Sequence, residues 1–179
     1  MDRFEIARIK YKPDIIKVLL IAEAPPKSDS DRFFYFENVP EQDSLFLETM
    51  KVLYPIEISQ LTTKEIRSNK RKFLLNFKQS GFYLIDSLER PFDVKYSSNQ
   101  KVRLIERDQP NLLSKINSII DENTKVILIS ATVFKADFQY LKQNNINVIN
   151  KELIDFPGSG NQIKFREKMN IILTDYNIV

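Results

Sequence analysis

The residues best placed to do chemistry lie in two loops near opposite ends of the chain. The first is Ile21-Ala22-Glu23-Ala24-Pro25-Pro26, where an apolar run stops at a carboxylate followed by two prolines. A carboxylate held by a rigid strand and a stiff Pro-Pro segment can orient a water, stabilise a developing cation or bind magnesium. The plainer alternative is that strands commonly end in a polar residue. The second loop is Phe156-Pro157-Gly158-Ser159-Gly160-Asn161, which holds two of the chain's three glycines. Glycine used so sparingly points to a backbone conformation or a close approach that other residues would not tolerate. This loop runs into an expected helix carrying Lys164, Arg166 and Lys168. Free amides at a helix start bind anions, so a phosphate contact through Lys164 and Arg166 is physically reasonable, although a turn with a helix cap uses the same residues. Gly-Ser-Gly is neither a Walker loop nor a dinucleotide fingerprint.

Further candidates lie between these loops. Asp86 ends the apolar run Phe82-Tyr83-Leu84-Ile85, and Ser130 ends another. Glu23 and Asp86 at neighbouring strand ends suit a general acid/base pair or a metal site, whereas an Asp after a strand often only caps the next turn. Phe33, Phe34, Tyr35 and Phe36 offer a stacking surface for a base, or core packing. The basic run Lys64, Arg67, Lys70, Arg71, Lys72 and Lys78 would place Arg67, Arg71 and Lys78 near one helix face. Such a face can track a phosphate backbone or simply be solvated.

Composition removes several chemistries. The chain has no cysteine, which excludes disulfides, thiolate zinc sites, iron–sulfur clusters and cysteine nucleophiles. It has no histidine, which excludes Ser-His and Cys-His catalysis. Catalysis would rest on carboxylates, lysine, tyrosine, hydroxyls or backbone amides. No metal and no cofactor is expected. A net charge of +3 allows a nucleic-acid partner without requiring one. No apolar segment approaches bilayer-spanning length, so the expectation is a cytoplasmic protein with no membrane partner.

The elements that must position these residues follow from periodicity. At 179 residues the chain suits one domain over residues 1–179. Short apolar runs at 16–22, 82–86, 125–130 and 147–150 read as strands buried on both faces. Helices are expected at 3–12, 41–54, 63–79, 134–144 and 162–176, with another starting at Asp108 or Asn111. Residues 88–107 show no clear period and read as an extended connection. The result is an α/β domain with a mainly parallel sheet, whose right-handed crossovers bring the strand C-terminal ends to one edge, where open α/β sheets bind ligands.

Three of these segments together resemble the uracil-DNA glycosylase superfamily. Ile21 to Pro26 is similar to its first motif, a buried strand ending in a Gly-Glu-Ala-Pro-Gly-type loop. The Gly81-to-Asp86 strand resembles its Leu-Leu-Asn-type strand, and Phe156-Pro157-Gly158-Ser159 its His-Pro-Ser loop. Order and spacing agree over about residues 15–175. The resemblance implies a three-layer α/β/α sandwich with a four-stranded parallel sheet, and a DNA-repair hydrolase activity that flips a nucleotide out and cleaves its glycosidic bond. It places the catalytic carboxylate on Glu23, the base-reading position on Asp86 and the loop against Ala24 and Pro25. It puts the stacking aromatic among Phe33, Phe34 and Phe36, and the leaving-base contact on Pro157, Gly158, Ser159 and Gly160. Phe156 stands where that family has histidine, Asp86 where it has asparagine and Pro26 where it has glycine. The missing histidine removes an electrostatic contribution of several kcal/mol to the departing base. The expectation is therefore a divergent member that binds DNA, another nucleic acid or a nucleotide without efficient uracil excision. The alternatives are an active glycosylase on an unusual base through Glu23, and a non-catalytic protein-interaction module.

Overall fold

The computed structural model describes residues 1–179 apart from Asp93, Ser159 and Val179. Three apolar runs form a parallel sheet: β1 (Val18–Ala22), β2 (Phe82–Asp86) and β3 (Lys125–Leu128), in the order β2-β1-β3. The central strand β1 pairs with β2 from Val18 opposite Phe82 to Ala22 opposite Asp86. It pairs with β3 from Val18 opposite Lys125 to Ile21 opposite Leu128. Every residue of β1 and β2 is buried, as parallel strands built from unbroken apolar runs require. Because the strands are parallel, Ala22, Asp86 and Leu128 end along one edge, with Glu23, Ser87 and Ser130 just beyond it. The β1–β2 ladder continues past that edge: Ser87 N–H donates to Ala22 O at 2.8 Å and Leu88 N–H to Glu23 O at 3.1 Å.

A fourth strand at 147–150 is expected, but the described residues give only one parallel bridge there, Val126 to Val148. The physical reason is Asn150. Its side chain accepts from Leu128 N–H at 3.0 Å and donates to Leu128 O at 3.3 Å, so an amide side chain takes the place of the next ladder step. The opposite edge is closed similarly. The Tyr35 hydroxyl accepts from Leu84 N–H at 2.7 Å and donates to Leu84 O at 3.1 Å, which satisfies the outer groups of edge strand β2.

Helix α1 (Arg3–Lys10) starts at Asp2, whose carboxylate accepts from Glu5 N–H at 2.8 Å. The expected helix over 41–54 is present as α2 (Ser44–Leu53), followed by the short α3 (Pro55–Ile58). The single helix expected over 63–79 is two, α4 (Thr63–Ser68) and α5 (Lys70–Gln79), broken at Asn69. The Asn69 side chain donates to Glu65 O at 2.9 Å, and the break lets Lys70 enter the core rather than join a basic surface.

The largest departure is α6 (Ser98–Asn117), which replaces the second half of the extended connection expected over 88–107 and starts well before the expected Asp108 or Asn111. Ser97 and Gln100 form a capping box, and Pro110 lies inside the helix. Helices α7 (Ala131–Gln143) and α8 (Gln162–Asp175) follow β3 and the glycine loop. α6 packs against α7, and α2 against α8. Among the described residues no helix is long and apolar enough to cross a membrane.

Candidate functional site

Glu23 leaves the end of the fully buried strand β1 with its side chain 20% exposed. Its Oε1 accepts from Lys101 Nζ at 2.5 Å, and its Oε2 accepts from Ser130 Oγ at 3.4 Å. Ser130 is the N-cap of α7, where its Oγ also accepts from Thr132 N–H at 3.1 Å and Val133 N–H at 3.4 Å. The carboxylate is thus held by the first turn of α6 on one side and the start of α7 on the other. Lys101 also lies 4.8 Å from the Phe92 ring centroid.

Asp86, at the end of the neighbouring strand, is 3% exposed. Its Oδ2 accepts from Arg8 at 2.7 Å, and Arg8, buried in turn, also pairs with Glu5. Burial pushes the Asp86 carboxyl above its ordinary range, against the opposing pull of the Arg8 guanidinium. A second buried pair joins Asp43 to Lys70: Lys70 Nζ donates to Asp43 Oδ2 at 2.7 Å and to Phe33 O at 3.3 Å, and lies 4.4 Å from the Phe46 ring centroid. Burial raises Asp43 to about 6 and lowers Lys70 to about 8, while their mutual attraction opposes both shifts.

A cleft of about 750 Å³ opens at this edge of the sheet. It brings together both chemically suggestive loops, with Glu23, Ala24 and Pro26 from the first and Phe156 and Gly158 from the second. Phe33, Phe34, Asp43, Asp86, Arg32 and Lys101 also line it, beside the polar Gln42, Ser44 and Gln162. Phe33 and Phe34 are both buried, and their rings are fixed by neighbours. Phe34 packs edge-on to Phe46 at 5.8 Å and Phe33 edge-on to Phe4 at 5.0 Å.

Other expected site residues lie elsewhere. Phe36 stacks on Phe4 at 5.6 Å beneath the Arg3 guanidinium and is not among the lining residues. Pro25 and Pro157 are buried, Gly160 is exposed, and none of the three lines the cleft. Ser159 lies outside the described residues. Gly160 has φ +85°, which meets the expectation of a backbone only glycine adopts readily, whereas Gly158 has no such angle. Of the two expected phosphate contacts, Arg166 pairs with Glu48 of α2, and Lys164 is solvent-exposed away from the cleft lining. Among the described residues no group of three or more potential metal ligands gathers.

Sequence reasoning missed Arg8, Asp43 and Lys101 in this region, and it read Lys70 as part of a basic run although the side chain is buried. Only Lys101 had a local signal, because the Ser97–Gln100 capping box places it in the first turn of α6. The chain matches no protein-family model, no curated protein and no solved structure.

Proposed function

We propose that this protein is a divergent relative of the uracil-DNA glycosylases that binds a nucleotide or nucleic acid in the cleft at the C-terminal edge of its sheet. The observation that carries this reading is the convergence of the Glu23 loop, the Phe156–Gly158 loop and the rigid Phe33 and Phe34 rings on one cleft. Aromatic lining suits a flat base, and the strand-end carboxylates supply polar recognition. On the same reading the fold is a three-layer α/β/α sandwich, with residues 147–150 as a reduced fourth strand held by the Val126–Val148 bridge.

Phe156 in the second loop cannot donate to a departing base, so this reading does not include efficient uracil excision. Excision of another base through Glu23 is a second reading. It is favoured by one geometric fact: Glu23 is anchored by Lys101 and Ser130 yet remains partly open to the cleft. A carboxylate so placed can orient water or stabilise a sugar cation.

The experiment separates the two readings. Anisotropy titration with single- and double-stranded oligonucleotides at low salt is expected to show binding; no affinity for either contradicts the proposal. Incubation with uracil, hypoxanthine and xanthine oligonucleotides reports on excision. Abasic product that Glu23→Gln abolishes supports the second reading, and absence of product from all three removes it.

A further inference from the structure

The two most buried polar side chains of the cleft are carboxylates that the protein satisfies on one oxygen only. Asp43 and Asp86 are 6% and 3% exposed and both line the cleft. In each, Oδ2 takes a bond from a buried cation, Lys70 at 2.7 Å and Arg8 at 2.7 Å. Among the described residues nothing donates to Oδ1 of either. Asp137 Oδ1, by comparison, is sealed in the core without a partner, and the two Oδ1 atoms of the cleft are not sealed in this way.

Lys70 and Arg8 neutralise these carboxylates but do not themselves line the cleft. The site therefore offers acceptor oxygens whose charge is already balanced by cations outside the lining. An acceptor of this kind welcomes an N–H group and repels a carbonyl oxygen. The buried oxygen left facing a carbonyl would lose its last chance of a partner, which is how a polar site rejects a close analogue. Phe33 and Phe34 border the same cleft with rings held in place by Phe4 and Phe46.

We propose that the cleft selects a heterocyclic base whose polar edge carries an exocyclic amino group, as cytosine and adenine do, over its oxo counterpart, as in uracil and hypoxanthine. This inference rests on the nucleotide-binding reading above. Exchange of amino for oxo replaces a group with two N–H donors by an acceptor, and leaves the oxo base a single ring N–H beside its carbonyl oxygen, while ring size is nearly unchanged. Two fixed carboxylate oxygens read that difference directly.

The test is calorimetric titration of the full chain with matched pairs: cytidine against uridine monophosphate, and adenosine against inosine monophosphate. The expected result is at least about tenfold tighter binding of the amino member in one or both pairs, in keeping with hydrogen-bond discrimination in buried sites. Asp43→Asn and Asp86→Asn should each narrow that ratio, because an amide can turn an N–H towards a carbonyl. Asp43→Asn provides the mutational arm should loss of the Arg8 partner unfold Asp86→Asn, and the wild-type ratio is decisive without either variant. Equal affinity within both pairs overturns the selectivity while leaving nucleotide binding intact. No binding of any of the four also overturns the selectivity, and the oligonucleotide titration above decides the binding reading separately.

Discussion

At the scale of the residue, the site rests on charges that burial has made costly. Arg8 and Asp86 form a pair whose side chains are each 4% exposed. Removing one partner of such a pair strands the other charge in a low dielectric. Arg8→Met should therefore cost about 3–5 kcal/mol in denaturant unfolding, with the Arg8→Met/Asp86→Leu double variant recovering most of it. Lys101 and Glu23 are 31% and 20% exposed. Solvent screens that pair, so Lys101→Met should change stability by less than about 1 kcal/mol. Asp137 makes a third kind of prediction. It is fully buried, accepts from Ser87 Oγ at 2.8 Å, and leaves Oδ1 unsatisfied. Burial raises it to about 6, with the bond from Ser87 and the nearby Gln109 amide opposing the rise and Glu106 and Asp108 adding to it. A carboxyl raised above its unfolded value stabilises the fold below that unfolded value, and the contribution is lost as pH climbs through the folded one. Asp137→Asn should accordingly be more stable than wild type above pH ~6, by up to about 3 kcal/mol, and lose that advantage towards pH ~4. Unfolding curves at both ends of that window check the sign, and a variant advantage that grows on acidification would contradict it.

At the scale of the element, caps fix the C-terminal edge of the sheet and one glycine fixes its opposite end. Ser97 Oγ accepts from Gln100 N–H at 3.4 Å, and Gln100 Oε1 accepts from Ser97 N–H at 2.9 Å. Ser97→Ala should cost about 1 kcal/mol, visible as a lowered Tm, and should fray the turn that presents Lys101 to Glu23. Gly81 has φ +81°, and a Cβ there would meet Lys17 Cγ at 2.7 Å. Its carbonyl also accepts from Lys17 N–H at 2.8 Å, at the entry to β1. Gly81→Ala should destabilise by more than about 1 kcal/mol, measured in the same denaturant titration. These elements differ in how plainly the sequence announces them. The strands were legible because a parallel strand covered on both faces reads as a short unbroken apolar run, and its length and flanking polar, Gly or Pro residues separate it from a buried helix. Helix α6 was not, because Pro91 and the polar run Ser97-Ser98-Asn99-Gln100 suggested a loop; the same four polar residues contain the capping box that starts it. The break at Asn69 depends on Lys70 finding Asp43, 27 positions away, and the Arg8–Asp86 pair spans 78. No local pattern encodes such partners, so Glu23 and the two loops could be read in advance while the charges that condition them could not.

At the scale of the whole molecule, the β2-β1-β3 order places Glu23 on the central strand, with Asp86 on one neighbour and Ser130 after the other. That arrangement makes the C-terminal edge the natural seat of a ligand, and the crossing of two distant loops turns the edge into a cleft. Among the described residues the cleft lining holds two cations, Arg32 and Lys101, and each is already paired with a carboxylate, Glu41 and Glu23 respectively. Binding to an oligonucleotide should consequently show a shallow salt dependence, with recognition concentrated on one nucleotide rather than along a backbone. The most direct measurement is a titration of isotope-labelled protein with a short single-stranded oligonucleotide at low salt, followed through its backbone amide resonances. The proposed site predicts saturable shifts concentrated at Glu23, Ala24, Phe33, Phe34, Phe156 and Gly158. No saturable shifts, or shifts confined to surfaces away from these two loops, would contradict it.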